Sequence, residues 1–330
     1  MRSERFPGVG RLIRSWRQRG IESHNIDRRT AALTAQVARI EEALQELASA
    51  GAEERLADLD RQLGALRQAV LRSGEQTAIM AARLQALRRT DAYQAPYAER
   101  PLVSVRIGAH QPGDALVDLA LASIRAQSYE YWETIVVFDG PDAESAERVK
   151  ALGDPRIRCY LRPQRGSYPL DPASQWRVAG VHPFNEAISH AHGDWIAPLD
   201  QDDEWTPDHL EALIDAARTS RAELVYGVCA VAVGTEGETY FGASPPREGD
   251  FGFQAAIYHA AIAELMLYDY NAHMAEEPAD WNLARRMLEA GVKFEFVEQI
   301  VATYHVDQDA RAFSWWRERL GGRGPFHPCD

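Results

Sequence analysis

The sequence predicts an α/β domain with a mostly parallel central sheet and flanking helices, preceded by an α-helical coiled-coil segment. Residues 27–89 contain no proline and place apolar residues at heptad spacing. From Leu102 onward, β-branched stretches alternate with helical ones. An apolar segment, DWIAPLD (194–200), then runs directly into a cluster of acids, as a strand does when its carboxyl end faces a ligand.

In the N-terminal part, Leu33, Val37, Ile40, Leu44 and Leu47 alternate spacings of four and three. A second run, Leu59, Leu63, Leu66, Val70, Met80, Leu84 and Leu87, keeps that spacing out of phase with the first. An apolar stripe on a lone helix has nothing to cover it, so such seams pack on another helix. ASAGAEE (48–54) separates the runs, and Gly51 weakens the helix there. Residues 30–90 therefore read as a stalk, either one helix with a skip or a folded-back hairpin. The expected partner is a second copy of the chain, giving a homo-oligomer through the coiled coil. Packing of a hairpin on its own globule is the alternative.

Ahead of the stalk, residues 1–29 hold eight arginines against three acids, with Phe6, Leu12, Ile13 and Trp16 among them. Such segments are most often solvated ends, and this one would also suit weak peripheral contact with anionic lipid. After the stalk, DAYQAPYAERP (91–101) has two prolines and no periodicity and reads as a linker.

A chain of 330 residues, 45% of them hydrophobic, suffices for roughly two domains. Its net charge of −13 argues against a protein that grips nucleic acid by its phosphates. Cys159, Cys229 and Cys329 form no CxxC pair and no even-numbered framework, which speaks against a disulfide scaffold or a zinc site and fits a reducing compartment. There is no run of about 18 apolar residues and no apolar core near the N-terminus. The expected location is the cytoplasm, at most peripheral at the inner membrane face.

The domain expected over 102–305 opens with a strand at 103–109, followed by a helical stretch over 115–127, a strand at 133–139, a helix over 143–152 and a strand at 157–163. A short helix over 184–193 should end at Gly193 and lead into the strand 194–200. Thr206 as N-cap and Pro207 as first helical residue predict the next helix. VATYH (301–305) ends the last strand, and residues 306–330 are read as a tail or flap.

Asp200, Asp202, Asp203 and Glu204 crowd like charges together, so they need either solvent or a cation. A solvated turn before a helix N-terminus would satisfy them. Asp200, however, directly ends an apolar strand, and Asp202 follows two residues later. Paired carboxylates there suit Mg²⁺ or Mn²⁺, which keep several waters and take phosphate oxygens as further ligands.

Read together, PLVSVRIGAHQPGDALVDLALASIRAQSYEYWETIVVFDGPDAES, FNEAISHAHGDWIAPLDQDDEWTPDHL and ADWNLARRMLEAGVKFEFV resemble the family-2 inverting glycosyltransferases of the GT-A fold, in order and at the usual intervals. The resemblance covers about 101–305. It implies a nucleoside-diphosphate-sugar donor, with a uridine diphosphate sugar as the first choice. It places Asp139 at the nucleotide base, with Ala109 and His110 near base or ribose, Asn185 near phosphate, Asp200 near the ribose, Asp202 on the metal and Asp280 as catalytic base. His305 is a further candidate metal ligand, although a lone histidine is more often structural. The chain departs from the family in Phe184-Asn185, where many relatives have Arg-Asn, in Gly-Ala-His after a first strand carrying Arg106, and in Ala279-Asp280, with Glu276 and Glu277 as neighbouring acids. No QxxRW motif follows, so transfer of a single sugar to a discrete acceptor is expected, whether glycan, lipid-linked or small molecule.

Two further classes fit the sequence less well. A catalytically inactive, glycosyltransferase-like scaffold organised by the stalk has no chemical reason to keep Asp139, Asp200, Asp202 and Asp280 together. Nucleotidyl transfer would call for a basic phosphate loop after the first strand, and GAHQPGD has neither lysine nor arginine.

Overall fold

A near-continuous apolar run such as VSVRIGA belongs in the middle of a sheet covered on both faces, and β1 (Val103–Ala109) lies there. The computed structural model describes residues 76–97, 100–232 and 239–305, apart from isolated helical positions at 37–38, 63–64 and 67. The segment 1–29, nearly all of the heptad runs up to residue 75 and the tail 306–330 lie outside the described residues. The compact unit described below comprises 77–273 and the residues from 277 on.

β1 pairs in parallel with β2 (Trp132–Phe138) and β4 (Trp195–Pro198), and β2 pairs in parallel with β3 (Ile157–Leu161). Beyond these come β5 (Glu204–Trp205), β6 (Leu224–Ala232), β7 (Thr239–Phe241), β8 (Ala256–His259) and β9 (Phe294–His305). The sheet order is β3-β2-β1-β4-β8-β6-β9-β5, with β7 on β6. β8 runs antiparallel to both β4 and β6, β6 and β9 are parallel, and β5 and β7 are antiparallel additions. The continuous parallel run expected from the sequence is therefore limited to β3-β2-β1-β4, β6 and β9 form a separate parallel pair, and the whole sheet is mixed. Parallel pairing needs a long crossover connection, usually a helix, whereas β8 is reached from β7 through a short stretch with only the 3₁₀ turn Phe253–Ala255.

Helices cover the sheet where the alternation predicted them, with shifted ends. The first starts as a π-helical turn, Leu116–Leu121, and continues as Ala122–Arg125. Ala143–Ala151 is capped by Asp142, whose carboxylate accepts the Ser145 amide at 3.0 Å. The helix Val181–Ser189 begins three residues earlier than expected and stops before Gly193. His209–Ser220 has Asp208 at its N-cap, because Thr206 turns its hydroxyl to Asp208 at 2.8 Å instead of capping the helix.

The N-terminal end of this unit differs most from the sequence expectation. In the helix Thr77–Leu87, the seam residue Leu84 is fully buried in the domain core, and Met80 and Leu87 pack against it. These three turn their stripe onto the globule itself. The expected linker is structured up to residue 97, as a short helix Asp91–Gln94 and a 3₁₀ turn Ala95–Tyr97 that bury Tyr93 and Tyr97. Their anchor is Glu223, 2% exposed. It accepts hydrogen bonds from Arg88 Nε and Nη2, both at 2.6 Å, from the Tyr93 hydroxyl, and from the Lys293 amide at 2.8 Å. Burial opposes ionisation of this carboxyl, but these donors hold it below the usual glutamate range. The registers Val103↔Trp195, Trp195↔His259 and Leu224↔Tyr258 put this latch on the edge where β1, β4 and β6 begin.

Candidate active site

The opposite edge gathers the acids. Parallel pairing aligns Ala109 with Phe138 and Arg106 with Pro198, so the residues that follow β1, β2 and β4 emerge side by side. They are His110, Asp139 and Asp200. A cavity of about 320 Å³, large enough for part of a nucleotide, is lined by Ala109, His110, Asp139 and Arg165. Three residues that the sequence assigned to nucleotide contact thus share one hollow. Asp139 is 5% exposed. Its Oδ1 accepts from Arg162 and from the Gly166 amide at 2.9 Å, and its Oδ2 from the Tyr168 hydroxyl at 2.6 Å. Burial alone would raise its pKa, but the bonds from Tyr168, Gly166 and Arg162 outweigh it and keep the group ionised. Asp139 therefore also fastens the 162–168 loop to the sheet, a role the sequence did not suggest.

Asp200 is partnered by Arg106. The Arg106 Nη1 donates to Asp200 Oδ1 at 3.0 Å and Nη2 to the Tyr268 hydroxyl at 2.8 Å, while the guanidinium lies 3.8 Å over the Phe184 ring. The adjacent Asn185 does not face the cavity with free polar groups. Its Nδ2 donates to Tyr268 O at 2.8 Å and its Oδ1 accepts the Tyr268 amide at 3.0 Å, so it pins the Tyr268 segment. An arginine inside an otherwise apolar strand was the signal in the sequence that could have singled out Arg106.

The acidic turn separates its members. Asp202 is exposed, whereas Asp203 is fully buried, with Oδ1 on the His305 amide at 3.0 Å and no hydrogen-bond partner for Oδ2. Burial, then the charges of Asp202 and Asp200, push the Asp203 carboxyl well above the usual range. His305 turns its Nε2 to Glu204 Oε1 at 3.0 Å, bracing the turn in place of joining Asp200 and Asp202. Among the described residues no three His, Cys, Asp or Glu side chains stand together as a metal-holding group. A cation held by the carboxylates at 200 and 202 would need further ligands from outside the described residues, such as phosphate oxygens and water.

Asp280 lies in the first turn of the helix Ala279–Glu289, whose N-cap is Pro278, and its Oδ1 accepts the Trp281 amide at 2.8 Å. It is thus a first-turn residue and not the cap. Burial, aided by the charge of Asp200, raises its pKa to about 6 against the pull of the Trp281 amide and of Arg106. Asp280, Asp200, Arg106 and Tyr268 accordingly form one electrostatic cluster. The neighbouring Glu277 is a different kind of acid. It is bound by Arg285 Nε at 2.9 Å, by Arg285 Nη2 at 2.8 Å and by Asn282 at 2.7 Å, and its carboxylate is committed to the helix.

Residues 180–269 match Glycosyl transferase family 2. The matched segment of this glycosyltransferase family takes in Asn185 and the acidic turn, while Asp139 and Asp280 lie outside it. A putative colanic acid biosynthesis glycosyl transferase of Escherichia coli (strain K12) is 34% identical over 97 residues, which are 29% of this chain and 30% of that protein. A succinoglycan biosynthesis protein of Rhizobium meliloti (strain 1021) is 32% identical over 125 residues, 38% of this chain and 32% of that one. The chain spans between 12% and 39% of the length of the curated relatives it matches. Among solved structures, a mannosyltransferase from Pyrobaculum calidifontis in complex with GDP-Man and Mn²⁺ superposes with a TM-score of 0.50 at 17% identity, covering 78% of this chain and 71% of that one. The likeness is one of fold: a mixed, curled sheet with flanking helices, as in GT-A glycosyltransferases. Among the described residues no helix is long and apolar enough to cross a membrane.

Proposed function

We propose that this chain is a metal-dependent inverting glycosyltransferase that moves one sugar from a nucleoside-diphosphate sugar to an acceptor hydroxyl, with Asp280 as general base. The observation that carries the reading is Asp280 itself, a carboxyl with a pKa of about 6 clustered with Asp200 on the sheet edge that also holds the Asp139 cavity. The ionised Asp280 takes the proton of the acceptor hydroxyl as that oxygen attacks the anomeric carbon. The bond to the diphosphate breaks on the far side, its electron pair leaves with the phosphate, and the configuration inverts without a second carboxylate as nucleophile.

Asp139 and the Ala109–His110 corner would receive the base and ribose. Asp202, with Asp200, would hold Mg²⁺ or Mn²⁺, which when bound neutralises charge on the departing diphosphate. A uridine diphosphate sugar remains the first donor, and the GDP-Man of the Pyrobaculum neighbour puts guanosine diphosphate beside it. The biosynthetic relatives favour an acceptor on the way to a cell-surface polysaccharide.

Calorimetric titration of the full chain with UDP and with GDP, in Mn²⁺ and in chelator, tests this. One nucleotide should bind in Mn²⁺ only, and Asp202→Ala should abolish that binding. Absence of binding under every condition would replace the enzyme with a scaffold.

A further inference from the structure

We infer that Arg106 is a positioning residue for this reaction, holding Asp200 through Nη1 and the Tyr268 segment through Nη2 so that donor side and base side keep a fixed separation. The inference rests on the proposed transfer reaction.

A guanidinium inside a central strand needs a reason, since moving a charge out of water is costly unless it is fully paired. Arg106 is 3% exposed, and its neighbours along β1 are buried. The molecule's other buried ion pairs show what a purely structural solution looks like. Arg285 and Glu277 are 8% and 4% exposed, and two bonds join their two polar ends. Arg88 meets Glu223 in the same two-pronged way.

Arg106 is arranged otherwise. Its acidic partner, Asp200, is 43% exposed and receives a single nitrogen, Nη1, which also donates to Leu199 O at 3.3 Å, while Arg106 Nε has no partner. The remaining prong goes to Tyr268, twelve residues ahead of Asp280 in the chain. A buried cation is thus spent on an acid that stays open to solvent at the strand end. That is the arrangement needed where a diphosphate must approach a carboxylate, because the pairing offsets the repulsion between them.

The local packing is fitted to this cation. Gly108 and Gly180 flank the Phe184 ring that lies on the guanidinium. An added Cβ would come within 2.6 Å of the ring at Gly108 and 2.3 Å at Gly180, whose φ of +81° also suits glycine. The ring is therefore slotted, and the guanidinium beneath it has one position.

Calorimetry with whichever of UDP and GDP the wild-type chain binds in Mn²⁺ provides the test, run on Arg106→Met, Arg106→Lys, Asp200→Asn and the double variant Arg106→Met/Asp200→Asn. Arg106→Met should weaken binding at least ten-fold while keeping a cooperative melt, since the exposed Asp200 can be hydrated once the guanidinium is gone. Arg106→Lys, with the charge but not the fork, should recover part of that loss. If Arg106 acts through Asp200, the double variant binds no more weakly than Asp200→Asn alone. Wild-type affinity in Arg106→Met, or losses that multiply in the double variant, overturn the inference and leave the transferase reading standing. A wild-type chain that binds neither nucleotide removes the transferase reading and this inference with it. Should Arg106→Met fail to fold, Arg106→Lys and the charge-free double variant carry the same comparison.

Discussion

Two acids at opposite edges of one sheet, Glu223 and Asp280, are treated in opposite ways. At the edge where β1, β4 and β6 begin, Glu223 is enclosed by Arg88, Tyr93 and the Lys293 amide, and its pKa falls. At the other edge, Asp280 is buried, its carboxyl is met by backbone amides alone, those of Trp281 and of Asp280 itself, with the charge of Asp200 nearby, and its pKa rises to about 6. Both are partly or fully withdrawn from water, so burial alone does not decide the outcome; the supply of donors does. An acid given a full set of donors serves as a fastening, and one left short of them is held ready to exchange a proton.

Removing the key acid at each edge should therefore produce complementary failures. Asp280→Asn is expected to lower donor turnover by about two to four orders of magnitude, the range for loss of a general base, without lowering the melting temperature. A variant that turns over normally would make Asp280 a fastening like Glu223. Glu223→Gln should do the reverse, costing roughly 3–5 kcal/mol of stability by leaving Arg88 without its buried partner, or about 10 °C in thermal melting, while nucleotide affinity in calorimetry stays at the wild-type value. Weakened nucleotide binding at full stability would show that the two edges are coupled.

The smallest effect is also the one that separates the signs. The folded pKa of Asp280, about 6, lies above its unfolded value of about 4. The stability it contributes is present below pH ~4 and is lost as pH rises to ~6, by up to roughly 3 kcal/mol. Turnover should rise through that same limb and level off above it. Glu223 has a depressed folded pKa, so its contribution is present at neutral pH and disappears as pH falls below the ordinary carboxyl range. Chemical denaturation of wild type, Asp280→Asn and Glu223→Gln from about pH 2 to 8 should resolve the two opposite slopes, that of Glu223 at the acid end of the scan and that of Asp280 above it. Parallel slopes would mean that the acids sit in equivalent environments.

How much of this the sequence disclosed follows from the range of the interactions. β1, β2 and β4 were readable because β-branched runs bounded by turns report on burial alone. Their parallel pairing made the Ala109, Asp139 and Asp200 edge readable too. The direction of β8 was not, because AIYH reads the same whichever way its neighbours run. The heptad spacing of Met80, Leu84 and Leu87 correctly signalled an apolar stripe, but spacing does not say what covers a stripe, and here the domain does. Asn185 and His305 have ligand-like chemistry, yet the Tyr268 backbone takes both amide atoms of Asn185 and Glu204 takes the Nε2 of His305. Arg106 and Phe184 stood in the sequence as two separate departures, 78 positions apart, and only the fold stacks one upon the other.

The Glu223 latch also imposes an order on the making of the protein. Arg88 and Tyr93 leave the ribosome some 130 residues before Glu223, and Arg88 also donates to Gly291 O, 203 positions further along the chain. Loops of that length close only after the sheet between them has formed. The helix Thr77–Leu87, though translated before every strand, therefore docks among the last elements, once β6 and the turn before β9 are in place. A chain stopped short of residue 291 lacks both the Gly291 carbonyl and the Lys293 amide that complete the latch around Arg88 and Glu223.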